Sequence, residues 1–266
     1  MRYSLMTEPQ LGGTYDDILA FARHAEKLGL ESFARSDHLA WQGRPQPATD
    51  PFATLAGLAR ETESIRLCVL VTPITLRHPA VIAKNAATID QMSGGRLDLG
   101  VGTGWNRREH EMLGFDFPSQ AERWGRFEDA LGYLEAAFAS PSPSYNGAHF
   151  RLDTDVQPKP SGIRLIIGGS GPRRTPTLAG RRADEYNLLL DEADAIRSRI
   201  GVMRDAAAGR DVEVTVMGEV DTSSAQALDE QISALEQAGV ERIYLQWLDL
   251  TDFDGMAQML EQVLSR

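Results

Sequence analysis

The sequence predicts an α/β protein folded as one (β/α)8 TIM barrel over residues 1–266, and three observations lead to that class. Strand-like and helix-like runs alternate from end to end in eight pairs, the pattern of a parallel sheet covered by helices. A length of 266 residues is ordinary for such a barrel. Two glycine-rich segments each follow a strand-like run directly, where a barrel opens its ligand-facing loops.

The strands are expected at 3–7, 32–36, 66–71, 96–101, 164–168, 185–190, 213–220 and 242–247. After the first comes a helix over 15–28, because Ile18, Leu19, Ala22, Ala25 and Leu28 recur at helical spacing and Gly29 stops the run. The third strand runs into Thr72-Pro73, where proline ends the pairing, and Pro79 suits the first turn of the next helix. In the fourth, Leu97, Leu99 and Val101 alternate with Asp98, Gly100 and Gly102, and Gly102-Thr103-Gly104 then forms a mouth. A helix at 119–138, a Pro/Ser loop at 140–144 and a short rim hairpin at 145–151 interrupt the rhythm. The fifth strand opens into Gly168-Gly169-Ser170-Gly171-Pro172-Arg173-Arg174. Leu228, Ile232 and Leu235 share one face of a helix over 223–238, and Gly239 follows as a stop.

Composition narrows the partners. With 27 Lys+Arg against 38 Asp+Glu the net charge is -11, which repels nucleic acid and anionic membrane and favours a small-molecule ligand. No apolar run approaches the roughly 20 residues of a membrane span, and the first residues enter a strand without a signal peptide, so a soluble, cytoplasmic protein is expected. Cys68 is the single cysteine and, among Leu67, Val69 and Leu70, reads as a buried thiol. No metal is expected: Glu109-His110-Glu111 lacks a second histidine at helical spacing and reads as a solvated helix start. Neither a G-x-S-x-G elbow nor a Walker lysine occurs.

Barrel active sites lie at the C-terminal strand ends, which directs attention to Asp37-His38 after the second strand. A carboxylate beside an imidazole orients it and raises its basicity, and the same pair also suits helix capping. Trp41, three residues on, would wall a planar ligand or pack the loop. His78, ahead of Pro79, reads as structural. The first glycine mouth is not a dinucleotide fingerprint, since Trp105 or Arg107 stands where its third glycine belongs; a phosphate cradle and a tight turn both fit. At the second mouth, backbone N–H groups with Arg173 and Arg174 behind them favour an anion such as a phosphate, and a plain turn also fits the residues.

Ser36-Asp37-His38, Val71-Thr72-Pro73 with Arg77-His78-Pro79-Ala80-Val81, Ser93-Gly94-Gly95-Arg96 with Gly102-Thr103-Gly104-Trp105-Asn106, and Ile167 to Pro172 occur in an order that resembles the luciferase-like monooxygenase superfamily. The likeness is strongest to its short branch of oxidoreductases that use the deazaflavin coenzyme F420. It spans most of residues 1–190. The resemblance implies a luciferase-like barrel holding an isoalloxazine-like ring over the strand ends, commonly as a homodimer. His38 becomes the candidate acid or base and Asp37 its partner at the ring. Val69 and Leu70 match a bulge backing the ring, with a cis peptide expected between them; Thr103 and Gly104 match cofactor contacts; Gly168, Gly169, Ser170 and Gly171 match the phosphate loop. Trp41 and Trp105 are assigned to the substrate pocket.

Three departures accompany the likeness. Trp105 stands where sugar-phosphate dehydrogenases of this group carry a catalytic glutamate, which argues against that substrate. Glu185-Tyr186-Asn187 replaces a more usual Gly-Trp-Asn, which either narrows the site or caps the sixth strand, and the segment after Val220 is short. The leading expectation is hydride transfer between F420 and a small organic substrate. An FMN-dependent monooxygenase of the same fold and a non-catalytic flavin-binding protein are the alternatives.

Overall fold

The computed structural model describes residues 1–41 and 46–266. Eight parallel strands close into a barrel: β1 (Arg2–Thr7), β2 (Ser32–Arg35), β3 (Arg66–Pro73), β4 (Leu97–Gly102), β7 (Arg164–Gly168), β8 (Glu185–Leu189), β9 (Glu213–Gly218) and β10 (Arg242–Trp247). Closure is made by β1 pairing with both β2 and β10, from Arg2↔Arg242 to Thr7↔Trp247. The outer helices are α1 (Tyr15–Lys27), α2 (Pro51–Glu61), α3 (Pro79–Ser93), α4 (Arg107–Leu113), α5 (Gln120–Phe138), α6 (Arg174–Arg182), α7 (Ala193–Ala207), α8 (Ala225–Ala238) and α9 (Phe253–Leu264). Among the described residues no helix is long and apolar enough to cross a membrane.

Local signals set the boundaries. Thr14 and Asp17 form a reciprocal capping box at the start of α1. Pro79 opens α3, and His78 caps it by accepting the Ala80 N–H at 3.1 Å, the structural role read for it from sequence. The strands β5 (Tyr145–Asn146) and β6 (Arg151–Leu152) form the hairpin, which is tied to α5 where Asp129 accepts the Tyr145 hydroxyl and the N–H groups of His149 and Phe150.

Strand parity divides the core in two. Leu5, Phe33, Leu67, Val69, Leu97, Leu99 and Val101 point outward into the layer beneath the helices. Met6, Ala34, Cys68, Leu70, Ile166 and Tyr244 point inward as a separate apolar cluster within the barrel. Burial pushes the Cys68 thiol well above its ordinary value, so it packs as a small apolar group.

Below that cluster the floor is charged. Fully buried Arg242 pairs with Glu185, with Glu31 at 2.9 Å and with Glu213 at 3.2 Å; Arg164 adds a bond to Glu213, and Arg66 grips Asp98 at 2.6 Å. Burial pushes the Glu185 carboxyl up to about 7 against the pull of Arg242, while Thr215 donates to it at 2.7 Å. Glu185, the first residue of β8, therefore neither narrows the ligand site nor caps a strand end; it belongs to the ionic floor at the opposite end of the barrel.

The β3–β4 ladder slips once. Val69 pairs with Leu99 and Thr72 with Val101, so Leu70 and Val71 together face Gly100. The cis peptide joins Leu70 to Val71, one bond beyond the expected Val69–Leu70 position, because the bulge opens only after Val69 has completed its pairing. Gly100 makes the bulge possible: a Cβ there would fall on the Val69 carbonyl oxygen and within 2.8 Å of Val71 Cγ1. Gly100→Ala is therefore expected to destabilise the fold by about 1–3 kcal/mol, the usual cost of overpacking, in urea unfolding. Wild-type stability in that variant would show that the bulge has room to spare.

Candidate active site

At the C-terminal strand ends lies a cavity of about 530 Å3. Its walls include Asp37, His38 and Trp41 from the segment after β2, Leu70 and Val71 from the bulge, Gly102 to Asn106 from the end of β4 onward, and Gly168 to Ser170 from the end of β7 onward. Glu8, Gln10 and Gln246 complete a polar side, where Glu8 accepts from Gln10 at 2.6 Å and Gln246 at 2.7 Å. The glycines leave the space open. At Gly168 a Cβ would meet Val71 Cγ1 at 2.7 Å, and Gly104 at φ +79 and Gly169 at φ +138 hold backbone conformations that side chains disfavour.

His38 is oriented by Glu109, not by Asp37. The Glu109 carboxylate takes His38 Nδ1 at 2.9 Å and the N–H groups of Leu39 and Ala40 at 2.6 and 3.2 Å. A carboxylate only accepts, so Nδ1 carries the proton and Nε2 is left for exchange with a ligand. Burial raises the Glu109 carboxyl, but the bonds from His38, Ala40 and Leu39 outweigh it and hold it below its ordinary value.

Asp37 turns the other way, as neighbouring residues at a strand end do. Its carboxyl accepts from the Thr72 hydroxyl at 2.6 Å and Arg77 at 2.9 Å. Burial raises it above the usual carboxylate value, opposed by Arg77 and Thr72. Through Arg77, which also reaches Asp50 at 2.6 Å, it ties the segment after β2 to the segment after β3. Asp37 is thus an anchor at the cavity wall, and the expected Asp37–His38 pairing is replaced by two separate clamps.

The predicted contacts divide similarly. Thr103, Gly104, Gly168, Gly169, Ser170, Trp41, Trp105 and Leu70 line the cavity together. Val69 does not: its parity sends it outward among the helices, and Leu70 with Val71 forms the wall instead. Gly171 lies just outside the lining. At the mouth the rings of His38, Trp41 and Trp105 meet edge to face with centroids 5.0, 5.7 and 6.1 Å apart, and Trp105 remains 68% exposed. The Gly169 N–H is spent on Asn187 O at 3.0 Å. Ser170 Oγ accepts from Leu189 N at 3.0 Å, which leaves its proton free to donate.

Glu109 is the residue that sequence reasoning missed. It and His110 are each 1% exposed, so the expected solvated helix start is buried. Asn106 caps α4 and accepts the Glu109 N–H at 3.2 Å, the spacing of a capping box, which by itself places the glutamate at a wet helix end. Its carboxylate turns instead toward a loop 71 residues earlier. Among the described residues no group of three or more His, Cys, Asp and Glu could hold a metal ion.

A family model described as luciferase-like monooxygenase matches residues 1–261. An F420-dependent glucose-6-phosphate dehydrogenase of Beutenbergia cavernae is 35% identical over 176 residues, covering 64% of this chain and 51% of that protein. An F420-dependent hydroxymycolic acid dehydrogenase of Mycobacterium tuberculosis is 33% identical over 180 residues, covering 64% of this chain and 48% of its own length. The chain thus spans about half the length of the curated relatives it matches. Among solved structures, an F420-dependent secondary alcohol dehydrogenase in complex with an F420-acetone adduct superposes with a TM-score of 0.84 at 19% identity, covering 98% of both chains.

The Glu109 clamp has a direct readout. In Glu109→Ala the Leu39 and Ala40 amides lose a charged acceptor, a loss of about 1.5–3 kcal/mol, so their hydrogen exchange is expected to quicken by one to two orders of magnitude. Because the folded carboxyl ionises below its unfolded value, this stabilisation is complete above the ordinary glutamate pKa and is lost as pH falls through the depressed one. Unchanged protection of both amides would mean that the loop is held by something else.

Proposed function

The chain belongs to the luciferase-like monooxygenase family, and on that premise we propose that it moves a hydride between C5 of coenzyme F420 and a small organic substrate. The observation that carries the proposal is the oriented imidazole: His38 presents a free Nε2 at a cavity backed by the Leu70–Val71 bulge and flanked by two glycine mouths. The residues fit a planar, phosphate-bearing cofactor. Leu70 and Val71 would back the ring, Thr103 and Gly104 would flank it, and the Ser170 hydroxyl with the N–H groups of Ser170 and Gly171 would take the phosphate. Those two N–H groups have no internal acceptor among the described residues.

When bound, the deazaflavin supplies hydride exchange at C5. The protein supplies position and a proton. His38 passes the proton through Nε2 while Glu109 holds Nδ1–H, so the imidazolium formed in one direction is neutralised where it stands. Trp41 and Trp105 narrow the mouth of the cavity. A homodimer is the assembly we expect from the family likeness.

Fluorescence titration tests the cofactor. F420 is expected to bind at least tenfold more tightly than FMN, about 1.4 kcal/mol, and equal or reversed affinities would favour the monooxygenase alternative. His38→Ala tests the proton role: it should keep most of its cofactor affinity and lose roughly a hundredfold in turnover. Undiminished turnover would leave His38 a structural residue.

A further inference from the structure

Ionised carboxylates only accept hydrogen bonds, and two of them fix which way round the amides of one cavity wall stand. On β8, β9 and β10, across the closed barrel from the β3 bulge, the inward residues Asn187, Met217 and Gln246 line the cavity. Glu185 lies beneath Asn187 on the same face of β8, and Thr215 of β9 stands beside Asn187 in register.

The first relay rises from the ionic floor. Glu185 takes Arg242 on one carboxylate oxygen and the Thr215 hydroxyl on the other at 2.7 Å, the pattern of an ionised group. Thr215 has a single proton and donates it there, so its oxygen can only accept from Asn187, whose Nδ2 lies at 2.9 Å. The Asn187 carbonyl oxygen is thereby turned away from the floor, on a side chain that is 4% exposed and lines the cavity. A glycine at 185 would leave Thr215 free to donate to Asn187 instead. The second relay starts at Glu8, whose two oxygens take one amide each, Gln10 at 2.6 Å and Gln246 at 2.7 Å. The Ser36 hydroxyl donates to the Gln10 carbonyl at 2.7 Å, which leaves the Gln246 carbonyl as the second open acceptor. Among the described residues no group of the chain donates to Asn187 Oδ1 or Gln246 Oε1.

We propose that Asn187 and Gln246 form an acceptor pair that selects a ligand presenting a hydroxyl or N–H donor to this wall, with Glu185 and Glu8 as the positioning residues that hold the two amides in that orientation. An ether or carboxylate oxygen placed there meets lone pairs, and a carboxylate also meets the Glu8 charge behind them. The substrate class is therefore one that carries a neutral donor group on that side. The inference rests on the reading of this cavity as the substrate site and on no property of the cofactor.

The test uses full-length protein without cofactor at about pH 8.5, above the value of about 7 to which burial raises Glu185. Cyclohexanol and cyclohexyl methyl ether, which keeps the oxygen but has no donor, are titrated by saturation-transfer NMR. The wild type is expected to favour the alcohol by about fivefold, the scale of one neutral hydrogen bond, and in Thr215→Val/Gln246→Leu, which keeps every charge, the preference should fall to about twofold or less. Equal wild-type affinities, binding of neither probe, or a preference undiminished in the double variant overturns the acceptor pair. The positioning role of Glu185 has its own readout. In the wild type the Asn187 amide protons should show a nuclear Overhauser contact with the Thr215 methyl group. Glu185→Gln should abolish it, because the new amide donates to Thr215 and Thr215 passes its proton to Asn187 Oδ1. Absence of the contact in the wild type overturns the relay even where a variant fails to fold, and a contact retained in folded Glu185→Gln overturns the role of Glu185. The F420 titration is a separate measurement, so its failure bears on the deazaflavin reading and leaves this result standing.

Discussion

The structure depends on one geometric constraint, the period of two along eight closed strands. Each strand sends alternate side chains into a barrel interior that has room for only a few of them, so residue size and charge at the inward positions decide what each level of the barrel becomes. At the strand starts these positions are charged, and Arg66, Asp98, Arg164, Glu185, Glu213 and Arg242 are paired with one another across the floor. In the middle they are apolar and fill the space. At the strand ends three of them are glycines, Gly100, Gly102 and Gly168, and the volume that they leave is divided between the Leu70–Val71 bulge and the cavity.

The bulge connects this packing to the chemistry. Shifting β3 by one residue against β4 moves Val71 into the space beside Gly100, Gly102 and Gly168, and turns an aliphatic wall toward the cavity. The same segment carries Thr72, whose hydroxyl holds Asp37, so the wall and the loop bearing His38 are fixed to one another. The loop that bears His38 is braced from two sides: Asp37 grips β3 and Arg77, while Glu109 grips the imidazole and the backbone beyond it.

Charge is distributed with equal economy. Carboxylates near the cavity are either deep in the wall, as Asp37 and Glu109 are, or bonded to amides, as Glu8 is, so none is presented bare to a ligand. Cationic side chains are kept out of the described lining and gathered on the outer rim.

Periodicity along the chain determined a good deal by itself. The eight strands, the inward and outward parity of β4, the caps at Gly29 and Pro79, the buried Cys68 and the two glycine mouths all arise from residues within a few positions of one another, and the sequence displays such patterns directly. Parity also held the clue that Val69 faces outward, since Leu67 and Val69 share one face of β3 and Cys68 and Leu70 the other. What only the tertiary structure decided are the partnerships between distant segments. His38 belongs to Glu109 rather than to the adjacent Asp37, the bulge opens one bond late because β4 sets its register, and Glu185 answers Arg242 across the floor. A carboxylate buried 71 residues from its imidazole leaves no local trace, because hydrogen bonds and ion pairs depend on distance in space, and barrel closure alone brings those residues together.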